Sequence, residues 1–136
     1  MRAIARRENG RFKHDVEIRE HELVADEPED HGGEDKGPNP QELLAASLAS
    51  CTAITMQMYA ERKGWNVGEL VVDVNYEPAQ RGSPTKFQLQ VKFPKELPED
   101  QRERLMQIAA RCPVHRALEG EVMFDERVEI IDRSAA

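Results

Sequence analysis

The chain has 136 residues, with 19 Lys or Arg against 26 Asp or Glu and a net charge of −7. A balance this acidic speaks against a nucleic-acid partner, because phosphate contacts need clustered cations. Hydrophobic residues make up 39% and charged residues 33%, which fits one domain (1–136) whose core competes with a large solvated surface and leaves apolar area to bury against a second copy.

The start, Met1-Arg2-Ala3-Ile4-Ala5-Arg6-Arg7, is basic but is not followed by the apolar stretch of a secretory signal. A cytoplasmic location is therefore expected. Asn9-Gly10 lies between two short strand-like runs and is a strong hairpin signal. From Arg11 to Arg19, Phe12, His14, Val16 and Ile18 alternate as on a half-buried strand, and His21 to Ala25 reads as another short strand. Asp26 to Asn39, rich in glycine, proline and acidic residues, reads as a surface loop.

Pro40 to Lys63 is the clearest element. Asn39 suits the N-cap, Pro40 the first helical position, and Glu42 the N3 position of a capping box. Arg62 and Lys63 complement the helix dipole, and Gly64 suits the C′ position. At about 1.5 Å per residue the helix is roughly 36 Å long. Leu43 to Ala60 carries no charge over 18 residues, so a membrane span must be weighed. Ser47, Ser50, Thr52, Thr55, Gln57 and many alanines make it weakly apolar for one, and a long buried central helix is expected instead, with no membrane partner.

Glu69 to Glu77 and Lys86 to Phe93 each alternate across a turn and predict a β-hairpin. Pro98 to Cys112 predicts a second helix, with Leu105, Ile108, Ala109 and Cys112 on one face. Pro113 to Leu118 predicts a short helical turn ending at Gly120, and Glu121 to Ile131 a closing strand. The order of elements makes an α+β fold.

The two cysteines are the residues with chemistry to offer. Leu44, Leu48, Cys51, Thr55 and Met58 follow helical spacing, so Cys51 is either a small buried hydrophobe or a reactive thiol on an apolar stripe. Cys112 directly precedes Pro113 and is placed to cap the turn that follows, near backbone N–H groups that favour a thiolate; a packed core cysteine is the alternative. A disulfide across the 61 positions between them would stabilise the fold by roughly 4 kcal/mol in the chain-entropy picture. In a reducing compartment a reversible bond is expected. Cys112 and His115 form a C-x-x-H pair, and His14, His21 and His31 lie upstream, but one pair does not make a four-ligand zinc site, and no metal is expected.

The run Gly37-Pro38-Asn39-Pro40-Gln41-Glu42-Leu43-Leu44-Ala45-Ala46-Ser47-Leu48-Ala49-Ser50-Cys51-Thr52-Ala53 resembles the central-helix signature of the OsmC/Ohr family. Cys112-Pro113-Val114-His115-Arg116-Ala117-Leu118 is similar to that family's second cysteine motif. The resemblance spans nearly the whole chain and implies an OsmC-like fold, an intertwined homodimer with sites at the interface, and a thiol peroxidase. It makes Cys51 the peroxidatic thiol and Cys112 the resolving one. The substrate would be an organic hydroperoxide, or hydrogen peroxide, and an external dithiol, possibly lipoyl-type, would restore the enzyme, with no bound cofactor.

A thiol on an apolar helix face has a raised pKa, while the attacking species is the thiolate, so a cation must approach. In the family an arginine of the N-terminal strands does this, held by a glutamate. Arg19 is the first choice here and Arg11 the second. The glutamate is expected ten positions before the cysteine, where this chain has Gln41. The neighbouring Glu42 lies roughly 13 Å from Cys51 along the helix axis and on its opposite side, so it would serve the other subunit's site. That substitution favours a second reading, a non-catalytic OsmC-like stress-response, redox-sensing or small-molecule-binding protein.

Overall fold

In the computed structural model, which describes residues 1–131, the central helix α1 runs Pro40–Lys63. Its ends are built as the residues dictate. The Glu42 N–H donates to Asn39 Oδ1 at 2.8 Å and the Asn39 N–H to Glu42 Oε1 at 2.9 Å, a reciprocal capping box. Gly64 closes the helix in the left-handed region at φ +70°.

Strands β1 (Ile4–Arg6), β2 (His14–Ile18) and β3 (His21–Ala25) form an antiparallel sheet in that order. A separate hairpin pairs β4 (Val71–Glu77) with β5 (Lys86–Lys92). Its strict alternation turns Val72, Val74 and Tyr76 inward opposite Val91, Leu89 and Phe87, and β4 packs on α1. Helices α2 (Glu99–Ala109) and α3 (Pro113–Glu119) also pack on α1. The core joins Met56 and Ala60 of α1 to Val67, Leu105 and Ala109, with Tyr59, Trp65, Val91 and Phe93 around it. The mixed α+β order expected from the sequence is the order found as far as α3.

Four details differ from expectation. The β1–β2 connection is wider than an Asn-Gly turn: residues 7–13 lie between the strands, with Gly10 at φ +91° inside that loop. The register of β2 is set by five residue pairs to β3 against three to β1, so the longer ladder decides where the first hairpin closes. Helix α2 stops at Ala109, and Cys112 begins the next helix instead of ending this one. The central helix is not buried all round: only Leu48, Thr52, Met56 and Ala60 are buried, while Ile54 and Met58 are exposed. That i, i+4 stripe is all that the other elements of one chain bury fully; Leu44, Cys51, Thr55 and Tyr59 beside it are half-buried. Finally, Glu121 to Ile131 forms no strand; it has no ladder partner among the described residues, and Val122, Phe124, Val128 and Ile130 stand exposed.

The loop before α1 is folded against β3. Asp26 is buried and accepts the Glu27 N–H at 2.8 Å and the Lys36 N–H at 3.1 Å. The Asp26 N–H donates to the Pro38 carbonyl at 3.1 Å. Gly37 is required by close approach, since a Cβ there would lie 2.2 Å from the Val24 carbonyl oxygen. Burial pushes the Asp26 carboxyl up, but the N–H groups of Lys36, Glu27 and Glu34 and the Lys13 charge outweigh it, and the net direction is down. A depressed carboxyl contributes stability above the ordinary Asp range, about 3.9, and loses it as pH falls through the folded-state value. Asp26→Asn is therefore expected to lower the urea midpoint at pH 7 and to differ less from the unaltered protein at pH 3. A gap of equal size at both pH values would mean that the carboxylate charge is not what holds the loop.

Candidate functional site

Two elements build the site. Cys51 lies midway along α1 and is partly exposed, whereas Cys112 is the N-cap of α3 and fully buried. Pro113 at the first helical position of α3 fixes the turn that carries Cys112. Because α3 packs across α1, the two thiols are neighbours close enough for Cys112 to influence the ionisation of Cys51, and both are free.

Cys112 Sγ accepts the His115 N–H at 3.3 Å, where a Ser or Asp oxygen would commonly sit. It also faces the Thr52 hydroxyl at 3.6 Å. Burial pushes the Cys51 thiol up; the Val114 N–H draws it down, the Cys112 thiol raises it again, and the Thr55 hydroxyl lowers it. The net direction is up, as an apolar helix face predicts, and none of these influences is cationic. Cys51 sits at the edge of the buried stripe, since α1 turns Thr52 inward where the spacing pointed to Cys51.

The other residues singled out from sequence lie elsewhere in the chain. Arg19 occupies the β2–β3 turn with a left-handed φ of +54°, and its guanidinium meets Glu20 at 3.3 Å in solvent. Arg11 stacks over Phe12, 4.9 Å from the ring centroid. Glu42 is engaged in the helix cap, beside a groove it shares with Gln41, Asn75 and Tyr76. A single chain thus brings Cys51 and Cys112 together and leaves Arg19, Arg11 and Glu42 apart from them.

A cavity of about 490 Å³, lined by neither cysteine, is walled by Leu44 and Leu48 of α1 and by Tyr76, Phe87 and Leu89, with His115 and Glu119 at its α3 side. His115 Nδ1 lies 3.0 Å from Glu119 Oε1, close but misaligned for a hydrogen bond. Among the described residues no three His, Cys, Asp or Glu side chains converge to hold a metal. Sequence reasoning passed over Thr52 and Thr55 as chemical groups; the signal was their place one and four residues after Cys51.

Comparison with known proteins agrees with this geometry. The family model for OsmC-like protein matches residues 33–127, a span that takes in both cysteines. No curated protein matches the sequence. Among solved structures, a proposed osmotic-stress-induced and detoxification response protein of Psychrobacter arcticus superposes with a TM-score of 0.72 at 21% identity, covering 85% of each chain. An organic hydroperoxide resistance protein OsmC of Legionella pneumophila gives a TM-score of 0.62 at 24% identity, covering 88% of this chain and 90% of that one. The organic hydroperoxide resistance protein OhrB of Bacillus subtilis gives 0.59 at 20% identity, with the same coverages. At these identities the likeness establishes the fold.

The proximity of the thiols has a direct check. Treating the reduced, folded protein with one equivalent of diamide is expected to remove two thiols per chain and to join the Cys51 and Cys112 peptides of one chain, read by mass spectrometry. Disulfides found only between chains, or only after denaturation, would contradict the arrangement.

Proposed function

The chain belongs to the OsmC-like family, and from that premise we propose that it is a thiol-dependent peroxidase that reduces organic hydroperoxides. The observation that carries this reading is the meeting of Cys51, partly open to solvent, with Cys112, buried and capped. A thiol that reacts needs access, and one that resolves needs only to reach the first. The Cys51 thiolate attacks the distal oxygen of the hydroperoxide; the O–O bond breaks, the alcohol departs with a proton, and Cys51 becomes a sulfenic acid. Cys112 then attacks Cys51 Sγ and displaces water, leaving the disulfide. An external dithiol of lipoyl type reduces it by thiol–disulfide exchange, in a reducing, cytoplasmic setting. The apolar wall of Leu44, Leu48, Tyr76 and Phe87 favours an organic tail over hydrogen peroxide alone.

The working unit in this reading is a homodimer. The chain exposes 10988 Å² at 15.5 kDa, against about 7,200 Å² for a compact monomer of that mass. The excess is carried by surface that one chain leaves open. Its chemistry fits a second copy, because the open face of α1 (Ile54, Met58) and the 121–131 segment (Val122, Phe124, Val128, Ile130) expose apolar side chains. In this reading a second copy supplies the cation that Cys51 lacks, with Arg19 as first choice and Arg11 as second, and a Glu42 that holds the arginine does so for the other subunit's site.

Stopped-flow oxidation of the reduced protein tests the reaction. Cumene hydroperoxide is expected to be consumed much faster than by a free thiol, and faster than hydrogen peroxide. Cys51→Ser abolishes this, Cys112→Ser leaves a trappable sulfenic acid, and dihydrolipoamide sustains turnover. Consumption no faster than a free thiol, indifferent to either substitution, would leave the scaffold as a redox-inert binder.

The arginine assignment is tested by the pH profile of Cys51 alkylation. A nearby guanidinium favours the thiolate, so the unaltered dimer keeps its reactivity to lower pH. Arg19→Ala is expected to move the rise in rate to higher pH, toward the position that burial alone dictates. Profiles unchanged in both Arg19→Ala and Arg11→Ala would overturn the assignment.

A further inference from the structure

Thr52 is fully buried on the inward stripe of α1. A buried hydroxyl must find a partner, and in a helix the usual one is a carbonyl of the preceding turn. Ser50 behaves that way, its hydroxyl reaching the Ala46 carbonyl at 2.9 Å and the Ser47 carbonyl at 3.2 Å. Thr52 does not. Its Oγ1 lies 3.6 Å from Cys112 Sγ, across the α1–α3 contact.

We propose that Thr52 is a positioning residue for the disulfide-forming step, holding Cys112 Sγ toward Cys51 from the adjacent position on the same helix. The proposal rests on the peroxidase reading above. Three features support it. Thr52 is β-branched, so its side chain has few orientations in a helix, and the one it takes carries its oxygen to Cys112. Cys51 and Thr52 are neighbours on one rigid element, so the reacting sulfur and the group that aims its partner move together. Cys112 Sγ is held from a second side by the His115 N–H at 3.3 Å, so its position is fixed by both helices. In the step itself Cys112–SH and Cys51–SOH become the disulfide and one water. The Thr52 hydroxyl donates to Cys112 sulfur as its charge develops and releases it when the S–S bond forms. Such aim is worth rate because misplacement by about 1 Å is costly.

The test compares Thr52→Val, which keeps the shape and removes the hydroxyl, with Thr52→Ser, which keeps the hydroxyl. Reduced protein is mixed with one equivalent of cumene hydroperoxide, quenched at intervals, and scored for dimedone-trapped Cys51 and for disulfide. In Thr52→Val the ratio of the disulfide-forming rate to the Cys51 oxidation rate is expected to fall roughly tenfold, equivalent to about 1.4 kcal/mol. Thr52→Ser is expected to restore most of it. Disulfide formation at the unaltered rate in Thr52→Val, or equal slowing in Val and Ser variants, would overturn the proposal. If the unaltered protein does not react with the hydroperoxide, the peroxidase reading fails by itself. Diamide oxidation of the same three proteins then decides on Thr52, with slower Cys51–Cys112 closure in Val alone supporting its role and equal closure rates refuting it.

Discussion

The rest of the structure depends on one constraint: α1 carries no charge from Leu43 to Ala60, so its surface has to be covered. The hairpin β4–β5, helix α2 and helix α3 each lay an apolar face on it, and the site forms where α3 does so. Full burial by one chain stops at the Leu48, Thr52, Met56 and Ala60 stripe. The exposed remainder, with Ile54 and Met58 above half exposure, is a cost that no loop of this chain relieves. The thiol site and the pressure toward assembly therefore have one origin.

What could be read in the residues divides by range. The capping box of Asn39 and Glu42, the Gly64 terminus and the alternating hairpin are local devices, each complete within a few residues, and they stand where the spacing put them. The inward face of α1 was not legible, because apolar residues surround the helix and no single stripe stands out. Spacing selected Cys51 and Met58, while packing selected Thr52 and Met56. The segment 121–131 shows the same limit from the other side. Its residues suit a strand, but a strand is a pair, and the described residues of one chain offer it no partner.

The cysteines illustrate how a site can be half legible. Cys112 before Pro113 announced a helix start, and it is one, with the His115 N–H on sulfur. That the same sulfur faces Thr52 depends on how α3 crosses α1, which no motif spells out. For Cys51 the physics of the helix face was enough. Burial and the second thiol raise its pKa and outweigh the Val114 N–H and Thr55 hydroxyl, so the chain presents a thiol in need of a positive charge.

Gln41 bears on how that charge would be supplied. The resemblance places a carboxylate ten residues before Cys51 to hold the arginine, and this chain has an amide there, with its acid one residue later in the helix cap. A carboxylate beside a guanidinium positions it but cancels much of its field at the thiol. An amide accepts a hydrogen bond without that cancellation, so an arginine from a second copy would be less firmly oriented and would act with its full charge. On the proposed reading, Gln41 exchanges precision of placement for strength of field. Thiolate formation needs the field more than the placement, because a charge acts over several ångströms while a displacement at sulfur does not tolerate one. Placement is then most demanding at the disulfide-forming step, where Thr52 and the α3 cap hold Cys112 within the chain itself.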